Sequence, residues 1–386
     1  MNNIILRKAQ SVVQKYLKIF PAVVILGSRQ CGKSTLIRSI SNGMNDFLYL
    51  DLERQSDRAR LADAELFFKY NATKTICMDE VQTMPEIFTV LRSVIDDDRR
   101  SGRFVLLGSA SRELIQRSSD SLAGRIGLID LTPFLINEVE DTKDFSLFNY
   151  WFRGGYPDSY LAADDESSSI WRENYIRTYM ERDIPQLGFG IAAPRMMRLL
   201  TMLAHEHGAI LNQAKLASAM DMTAPTIRHY IDILEQTYVV RVLQPFQRNM
   251  RKRLTKTPKV YLRDCGILHY LLGLADYNAL LGHSVIGASW EGLVIENVAA
   301  VAHGARLSFY RSATGSEEMD LVLEFADRLI AIECKSSTAP SVTPGFWKAV
   351  DTLRPSLTYI VAPVDQGYNL RDDVRVENLS ELLKEF

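Results

Sequence analysis

A glycine-rich loop near the start of the chain carries the residues best suited to chemistry. It follows a β-branched apolar run at residues 23–26 and precedes a helix that opens near Thr35. Glycines let consecutive backbone N–H groups point at phosphate oxygens, and the helix N-terminus adds partial positive charge. This GxxxxGK[ST] pattern predicts an ATP site in which Lys33 reaches the β- and γ-phosphates and Ser34 offers its hydroxyl to Mg²⁺. The predicted nucleotide-binding residues are Gly27, Ser28, Arg29, Gln30, Cys31, Gly32, Lys33, Ser34 and Thr35.

Two later strand ends supply acidic and hydroxyl groups that suit the same site. The apolar run at residues 75–78 ends in Asp79 and Glu80, and the run at residues 103–107 is followed by Gly108 and Ser109. We expect Asp79 to complete Mg²⁺ coordination and Glu80 to orient and deprotonate the attacking water. Ser109 is either a sensor of the γ-phosphate or a simple strand cap.

Two carboxylates and a lysine form a second candidate site. Asp320, Glu333 and Lys335 have the spacing D-x₁₂-E-x-K on two predicted strands, residues 319–325 and 329–334. A tight hairpin between these strands places Asp320 directly opposite Glu333, with Lys335 on the same face. Such a cluster predicts a Mg²⁺ site with a positioned water and a catalytic Lys335. The alternative is a structural relic in which the carboxylates pair with Lys335.

A cationic segment follows a predicted helical triplet in the middle of the chain. From Arg241 to Arg263, eight of 23 residues are basic and none is acidic. Three short helices within residues 196–234 and a strand at 238–243 have helix-turn-helix spacing and predict a winged helix. A cationic wing suits the phosphate backbone of DNA, although a solvated loop or a domain contact is the alternative. The predicted DNA contacts are Arg248, Arg251, Lys252, Arg253, Lys256 and Lys259.

Composition and charge set limits on partners and location. Hydrophobic residues make up 47%, charged residues 24%, and the net charge is −2, so DNA must meet a local patch rather than a globally basic protein. The four cysteines contain no CxxC pair, which argues against disulfides and structural zinc and predicts a reducing cytoplasm. The apolar run at residues 19–26 is too short to span a bilayer, so we expect no membrane association.

Further motifs resemble one protein family. Residues 78–82 have the sequence MDEVQ, residues 107–112 LGSASR and residues 121–125 SLAGR, and GGYP and TPKVYLRDCG follow at 154–157 and 257–266. The chain resembles the predicted AAA-superfamily ATPases of bacteria and archaea that carry a DUF4143-type C-terminal region. In that pattern Arg125 is a candidate arginine finger, and a solvated loop arginine is the alternative. A finger that acts on a neighbouring subunit requires a homo-oligomer, which we expect.

The second candidate site resembles the PD-(D/E)xK nuclease superfamily. In that superfamily a glutamate from a helix often joins the metal site, and Glu291 matches this place best. The chain departs from the family pattern because residues 316–319, SEEM, replace the proline that precedes the aspartate. The resemblance implies that Asp320, Glu333 and Glu291 bind a metal ion and that the domain either cuts DNA or keeps only the fold.

A length of 386 residues predicts several domains. We expect an α/β fold class, with an AAA-type P-loop ATPase core at residues 1–144 and a helical lid at 145–190. A winged helix at 191–262 and a nuclease-like α/β domain at 263–386 would follow. The leading hypothesis is an oligomeric ATP-driven enzyme acting on DNA. The alternative is a nucleotide-operated switch that binds DNA through a non-cleaving nuclease fold.

Overall fold

The computed structural model divides the chain into two compact units. The first contains residues 1–134 and 236–238, and the second contains residues 135–235 and 239–386. The residues that the structure describes are 5–44, 46–109, 122, 124–186, 189–247 and 256–386.

The first unit contains a five-stranded sheet in which all paired strands are parallel. Its strands are β1 (Ala22–Leu26), β2 (Phe47–Asp51), β3 (Thr75–Asp79), β4 (Phe104–Gly108) and β5 (Ile126–Asp130). Its helices are α1 (Ala9–Leu17), α2 (Lys33–Ser41), α3 (Gln55–Arg60), α4 (Ala64–Tyr70) and α5 (Ile87–Asp97). The sheet order is β2-β3-β4-β1-β5, so the carboxyl ends of β1, β3 and β4 lie side by side. The predicted α/β P-loop core is confirmed.

The apolar runs of the first unit explain why its central strands form. Strands β1 and β4 are buried at every residue, as expected for parallel strands that are covered on both faces. Helices α1 and α2 cover one face through Val13, Leu36 and Ile37. Helices α4 and α5 contribute Phe68 and Leu91 to the apolar cluster on the other face.

The second unit begins with helices and a strand pair. Its first helices are α6 (Ile136–Val139), α7 (Leu147–Arg153), α8 (Pro157–Tyr160), α9 (Asp165–Thr178), α10 (Ile184–Gln186), α11 (Ala193–His205), α12 (Gln213–Met220) and α13 (Ala224–Gln236). The antiparallel strands β6 (Val240–Leu243) and β7 (Lys259–Leu262) follow. Helices α11 to α13 with β6 and β7 are the elements that a winged helix requires, and the winged helix stays a prediction.

The rest of the second unit is built on a six-stranded mixed sheet of order β12-β13-β11-β10-β9-β8. Its strands are β8 (Arg306–Arg311), β9 (Glu318–Glu324), β10 (Leu329–Cys334), β11 (Leu357–Val361), β12 (Tyr368–Arg371) and β13 (Val374–Glu377). Its helices are α14 (Cys265–Leu271), α15 (Tyr277–Leu281), α16 (Ile286–Val301), α17 (Pro344–Leu353) and α18 (Leu379–Leu382). Helix α16 is fixed to this sheet because Trp290 donates its indole N–H to the carbonyl of Val361 at 2.9 Å.

The segment predicted as a helical lid packs inside the second unit. Helix α7 lies against α16, where Trp151 donates to the hydroxyl of Ser289 at 2.9 Å and its ring contacts that of Trp290 at 5.0 Å. The division between units falls after residue 134, ten residues before the predicted end of the core at residue 144.

Two of the motifs that suggested the family support the fold rather than the chemistry. Asp264 accepts hydrogen bonds from the backbone N–H groups of Gly155 at 2.8 Å and Ile267 at 2.9 Å. Gly154 has a φ of 79°, and a Cβ there would lie 2.3 Å from the Asp264 carboxylate. The GGYP segment therefore needs its glycine so that it can approach the aspartate of the later motif.

Candidate active site

The glycine-rich loop of the first unit connects the carboxyl end of β1 to α2. Gly32 has a φ of 99° and Gln30 a φ of 60°, so the chain turns twice through the left-handed region before α2 begins. A Cβ at Gly27 would lie 2.2 Å from the carbonyl oxygen of Leu131. Gly32 is thus required by its backbone conformation, and Gly27 is required by its close packing against Leu131.

The centre of the loop contains one cationic side chain and one buried hydroxyl group. Lys33 is buried, and its ammonium donates to the carbonyl oxygens of Gly27 at 3.0 Å and Ser28 at 2.8 Å. The Ser28 hydroxyl is buried and has no hydrogen-bond partner among the described residues. A buried hydroxyl without a partner costs free energy unless a ligand satisfies it. This loop therefore fits an oxyanion such as a nucleotide phosphate.

The other predicted loop residues are placed as follows. Cys31 is buried, with its thiol 3.5 Å from the carbonyl oxygen of Leu131, whereas Thr35 is exposed in the first turn of α2. Arg29 forms an ion pair with Glu53 at 3.7 Å. Their predicted contacts with a nucleotide stay predictions.

Arg7 supports the loop from outside, and the sequence patterns did not identify it. Its guanidinium donates to the carbonyl oxygens of Cys31 at 2.7 Å and Thr132 at 2.6 Å, and it is 8% exposed. It also lies 5.2 Å from the ring centre of Phe134. Arg7 thus ties the glycine-rich loop to the segment after β5, and no local motif indicates that role.

Asp79 and Ser34 meet at the carboxyl end of β3. The Ser34 hydroxyl donates to Oδ2 of Asp79 at 2.7 Å, and the backbone N–H of Glu80 donates to Oδ1 at 2.9 Å. Tyr49 of β2, which the sequence analysis did not identify, also donates its hydroxyl to Oδ2 of Asp79. Burial, and then the Asp79 carboxylate, raises the pKa of the Tyr49 hydroxyl well above its usual value. Ser34 and Asp79 are oxygen ligands of the kind that Mg²⁺ prefers, so this pair fits a magnesium ion bound with a nucleotide.

Glu80, Gln82 and Ser109 form a hydrogen-bonded cluster beside this pair. The Ser109 hydroxyl donates to Oε2 of Glu80 at 3.0 Å, and the Gln82 amide donates to Ser109 at 2.9 Å and to Oε2 of Glu80. Glu80 has a φ of 53°, which costs roughly 1 kcal/mol or more for a residue that is not glycine. The Ser109 side chain therefore contacts the predicted water-activating carboxylate, and its role as a phosphate sensor stays a prediction. Gln82 lies in the MDEVQ motif, which was the available signal for its role.

Arg125 lies at the amino ends of the parallel strands, whereas the glycine-rich loop lies at their carboxyl ends. It directly precedes β5, whose five residues span roughly 16 Å. Its guanidinium donates to both oxygens of Asp96, at 2.8 and 2.7 Å. Hydrogen bonding from Arg125 lowers the pKa of Asp96 to about 2. The structure does not bring Arg125 to the loop of its own chain, and its role as an arginine finger stays a prediction.

The second candidate site has the predicted register. Leu321 pairs with Ile332 and Leu323 with Ile330, and continuing this count places Asp320 opposite Glu333. The backbone N–H of Cys334 donates to Oδ2 of Asp320 at 2.9 Å. Hairpin counting from the sequence was therefore sufficient to place the two carboxylates on one face of the sheet.

Glu291, Asp320, Glu333 and Lys335 line one cavity of about 540 Å³. Lys335 donates to Oε1 of Glu333 at 2.7 Å, while Oε2 of Glu333 is buried with no partner among the described residues. Burial, and then the nearby Asp320 carboxylate, raises the pKa of Glu333 to about 8 and that of Glu291 to about 7. Burial also raises the pKa of Asp320. The predicted site residues are thus brought together.

Lys259 joins this cavity, and its prediction as a DNA contact is wrong. Its side chain is 4% exposed, and its ammonium lies 3.0 Å from Glu291, 2.9 Å from Glu318 and 3.9 Å from Asp320. Burial alone would lower the pKa of Lys259, but these carboxylates outweigh burial and raise it. Among the described residues, no group of three or more His, Cys, Asp and Glu side chains is arranged to hold a metal ion. With Lys259 in place, the cluster does not fit a divalent cation.

The cationic segment is partly neutralised within the second unit. Arg241 and Arg263 both form ion pairs with Glu296, at 2.8 Å for Arg263. Burial alone would raise the pKa of Glu296, but the two arginines hold it at about 2. Lys256 is exposed, and its role as a DNA contact stays a prediction. The remaining predicted contacts lie outside the described residues, and they are Arg248, Arg251, Lys252 and Arg253.

In the described part of the chain, no helix has the length and apolar character needed to cross a bilayer.

Comparison with known proteins identifies relatives over nearly the whole chain. The protein is 38% identical over 368 residues to the uncharacterized protein Rv2008c of Mycobacterium tuberculosis and, equally, to Mb2031c of Mycobacterium bovis. Each alignment covers 95% of this chain and 82% of the relative. Among solved structures, the chain is similar to the Walker-type ATPase paby2304 of Pyrococcus abyssi, with a TM-score of 0.49 and 13% identity over 70% of this chain and 97% of that one.

Three domain families match successive parts of the sequence. An AAA domain matches residues 20–140, a domain of unknown function (DUF8612) matches residues 144–278, and a second domain of unknown function (DUF4143) matches residues 286–382. The AAA match ends at residue 140 and the next match begins at residue 144, and every predicted ATP-site residue precedes this boundary. The resemblance inferred from the motifs is confirmed, and the chain belongs to the family of AAA-domain proteins that carry a C-terminal DUF4143 domain.

Proposed function

We propose that the first unit binds ATP with Mg²⁺ and hydrolyses it. The observation that carries this proposal is the placement of Glu80 and Ser109 beside the Ser34–Asp79 pair at the mouth of the phosphate loop. Phosphoryl transfer to water requires a carboxylate that positions the water and a loop that binds the phosphates. Both are present at adjoining strand ends of one sheet.

Each side chain has a defined task in this proposal. Lys33 leaves its loop carbonyls to neutralise the phosphate oxygens, and the Ser28 hydroxyl gains the acceptor that it lacks. Ser34 and Asp79 hold Mg²⁺, which when bound neutralises charge on the phosphate oxygens. Glu80 accepts a proton from the attacking water, and Ser109 orients the Glu80 carboxylate. The test is equilibrium binding of ATP to the full chain, which should require Lys33 and weaken when EDTA removes Mg²⁺.

We also propose that the second unit contacts DNA through the cationic segment. Fewer basic residues support this proposal than the sequence count of eight indicated. Arg241, Lys259 and Arg263 form ion pairs with carboxylates of the same unit. Lys256 and the four basic residues at 248–253 remain as phosphate contacts. The exposed Arg228 of α13, in the position of a recognition helix and 4.0 Å from Asp232, is a further candidate phosphate contact.

Replacing Arg251, Lys252 and Arg253 together by glutamine should weaken DNA binding to a similar extent on all sequences. The slope of log K against log salt on duplex DNA should fall by about 0.9 per lost contact, up to about 2.7 in total. Fluorescence anisotropy across a salt series measures both quantities. The matched control replaces the exposed Lys15, Lys18 and Lys69 of the first unit, which removes the same charge. Equal losses in both triple variants would contradict a local DNA contact.

A homo-oligomer is the third part of the proposal, and Arg125 supports it. The arginine is held by Asp96 at the end of the sheet remote from its own phosphate loop, so a role as an arginine finger requires a neighbouring chain. Transition-state charge on the transferred phosphoryl group is stabilised by an arginine supplied in this way.

Mixing Arg125→Ala protein with Lys33→Ala protein should therefore restore part of the ATP turnover that each lacks. A mixed interface can pair an intact loop with an intact arginine. Asp96→Asn is the control, because it disrupts the ion pair but keeps Arg125 and should retain turnover. Absence of recovery in verified mixed oligomers, or a monomer in the presence of ATP, would exclude action between subunits.

A nucleotide-operated switch is the second candidate, and one contact favours it. The Gln82 amide and the Ser109 hydroxyl both donate to Oε2 of Glu80, so this oxygen is already occupied and is a weaker acceptor for a proton from water. Slow hydrolysis with tightly retained nucleotide would follow if this contact persists when ATP is bound. DNA cleavage is not part of either proposal, because Lys259 lies among the carboxylates of the nuclease-like cluster.

A further inference from the structure

Lys259 is an unusual member of the carboxylate cavity because it comes from a different part of the second unit. It is the first residue of β7, whereas Glu291 lies on α16 and Glu318 and Asp320 lie on β9. Its ammonium touches an oxygen of Glu291 and an oxygen of Glu318 and lies 5.3 Å from the ring centre of Phe309. Contacts on several sides fix its position.

Four carboxylates and two lysines share the cavity, and the two lysines divide them. Lys335 pairs with Glu333 at 2.7 Å, and Lys259 contacts the other three. The neighbouring Tyr261 of β7 donates its hydroxyl to the same Glu291 oxygen that Lys259 contacts, Oε1. Two groups of β7 therefore occupy one oxygen of the glutamate that a helix would otherwise supply to a metal.

An ammonium and a divalent cation compete for such oxygens. A magnesium ion binds carboxylate oxygens at about 2.1 Å and needs them in an octahedral arrangement. An ammonium at about 3 Å from the same oxygens would be a like charge within a few ångströms of that ion, in a largely buried site where screening is weak.

We propose that Lys259 is the built-in cation of this cavity: it takes the place of a divalent metal between Glu291, Glu318 and Asp320 and keeps the site metal-free. The lysine also links β7 to the C-terminal sheet through its ion pairs with the carboxylates, within the second unit. This inference does not depend on ATP hydrolysis by the first unit.

The experiment is a titration of the full chain with Mn²⁺, followed by the electron paramagnetic resonance signal of free Mn²⁺ in the absence of nucleotide. All proteins carry Asp79→Asn so that the magnesium site of the first unit does not contribute. The proteins compared are the parent, Lys259→Met, Lys335→Met and Lys259→Met with Asp320→Asn. Lys335→Met is the matched control, because it removes the other lysine of the cavity and leaves Lys259 in place.

We expect Lys259→Met to gain one Mn²⁺ site that binds at least about tenfold more tightly than any site in the parent. Adding Asp320→Asn should remove that site, and Lys335→Met should behave as the parent does. Equal gains in the two lysine variants, or no gain in a folded Lys259→Met, would overturn the proposal.

The parent protein provides a test that does not depend on the folding of Lys259→Met. We expect the parent titration to be unchanged by Asp320→Asn, because no metal binds there. One Mn²⁺ bound by the parent and lost on Asp320→Asn would overturn the proposal directly.

Discussion

Lys33→Ala should reduce ATP turnover by at least about 100-fold, without unfolding the chain. Among the described residues, the ammonium of Lys33 is hydrogen-bonded to the backbone carbonyls of Gly27 and Ser28, so its removal breaks no side-chain network there. Alanine is also well suited to the first residue of α2. The loss should therefore come from charge stabilisation at the phosphates. Steady-state phosphate release measures it, and a circular dichroism melt shows whether the fold is retained.

The exposed Lys15 of α1 offers a matched control for this substitution. Lys15→Ala removes the same charge from the same unit, but outside the phosphate loop. It should leave turnover near the parental rate. If Lys33→Ala retains turnover, or if both variants lose it equally, the loop is not the site of ATP hydrolysis.

Glu80→Gln should bind ATP nearly as well as the parent protein but hydrolyse it about 10²- to 10⁴-fold more slowly. Glutamine has the same shape and can keep the hydrogen bond from Ser109, so the local structure should persist. It cannot accept a proton from water, which is the step assigned to the carboxylate. Nucleotide affinity and single-turnover hydrolysis, measured on the same preparation, separate binding from the chemical step.

Glu86→Gln is the corresponding control, because Glu86 is an exposed glutamate six residues further along the chain, at the start of α5. It should change neither affinity nor hydrolysis. Hydrolysis by Glu80→Gln at the parental rate would show that another group activates the water, and Asp79 would become the next residue to test.

Much of the ATP site could be predicted because its parts are local or follow from strand order. The residues from Gly27 to Ser34 form a continuous motif whose backbone conformation depends on its own glycines. Asp79 and Ser109 are distant in sequence, but each follows an apolar strand. Parallel strands of one sheet end at the same edge, so the pattern was sufficient to bring them together.

Residues whose roles depend on long-range packing were not predicted. Arg7 contacts a carbonyl 125 residues away, and Tyr49 contacts Asp79 across 30 residues. Neither belongs to a motif, and nothing in the local sequence separates such a contact from exposure to solvent.

Lys259 shows why a run of like charges can mislead. The spacing of basic residues gives their density but not which side of the strand each one occupies. β7 places Lys259 towards Glu291, a partner 32 residues further along the chain. Tertiary structure thus moved one of the predicted DNA contacts into a buried ionic cluster, which charge counting along the sequence could not foresee.

Multiple-turnover ATP hydrolysis by the purified full chain, with and without single-stranded, duplex and branched DNA, tests the proposed function most directly. If the protein is an ATP-driven enzyme acting on DNA, it should release phosphate over many cycles with Mg²⁺ present, and at least one form of DNA should increase the rate. A switch would instead hydrolyse ATP slowly and retain the nucleotide. No magnesium-dependent phosphate release under any of these conditions, from protein that binds ATP, would contradict the assignment of Glu80 and Lys33 to catalysis.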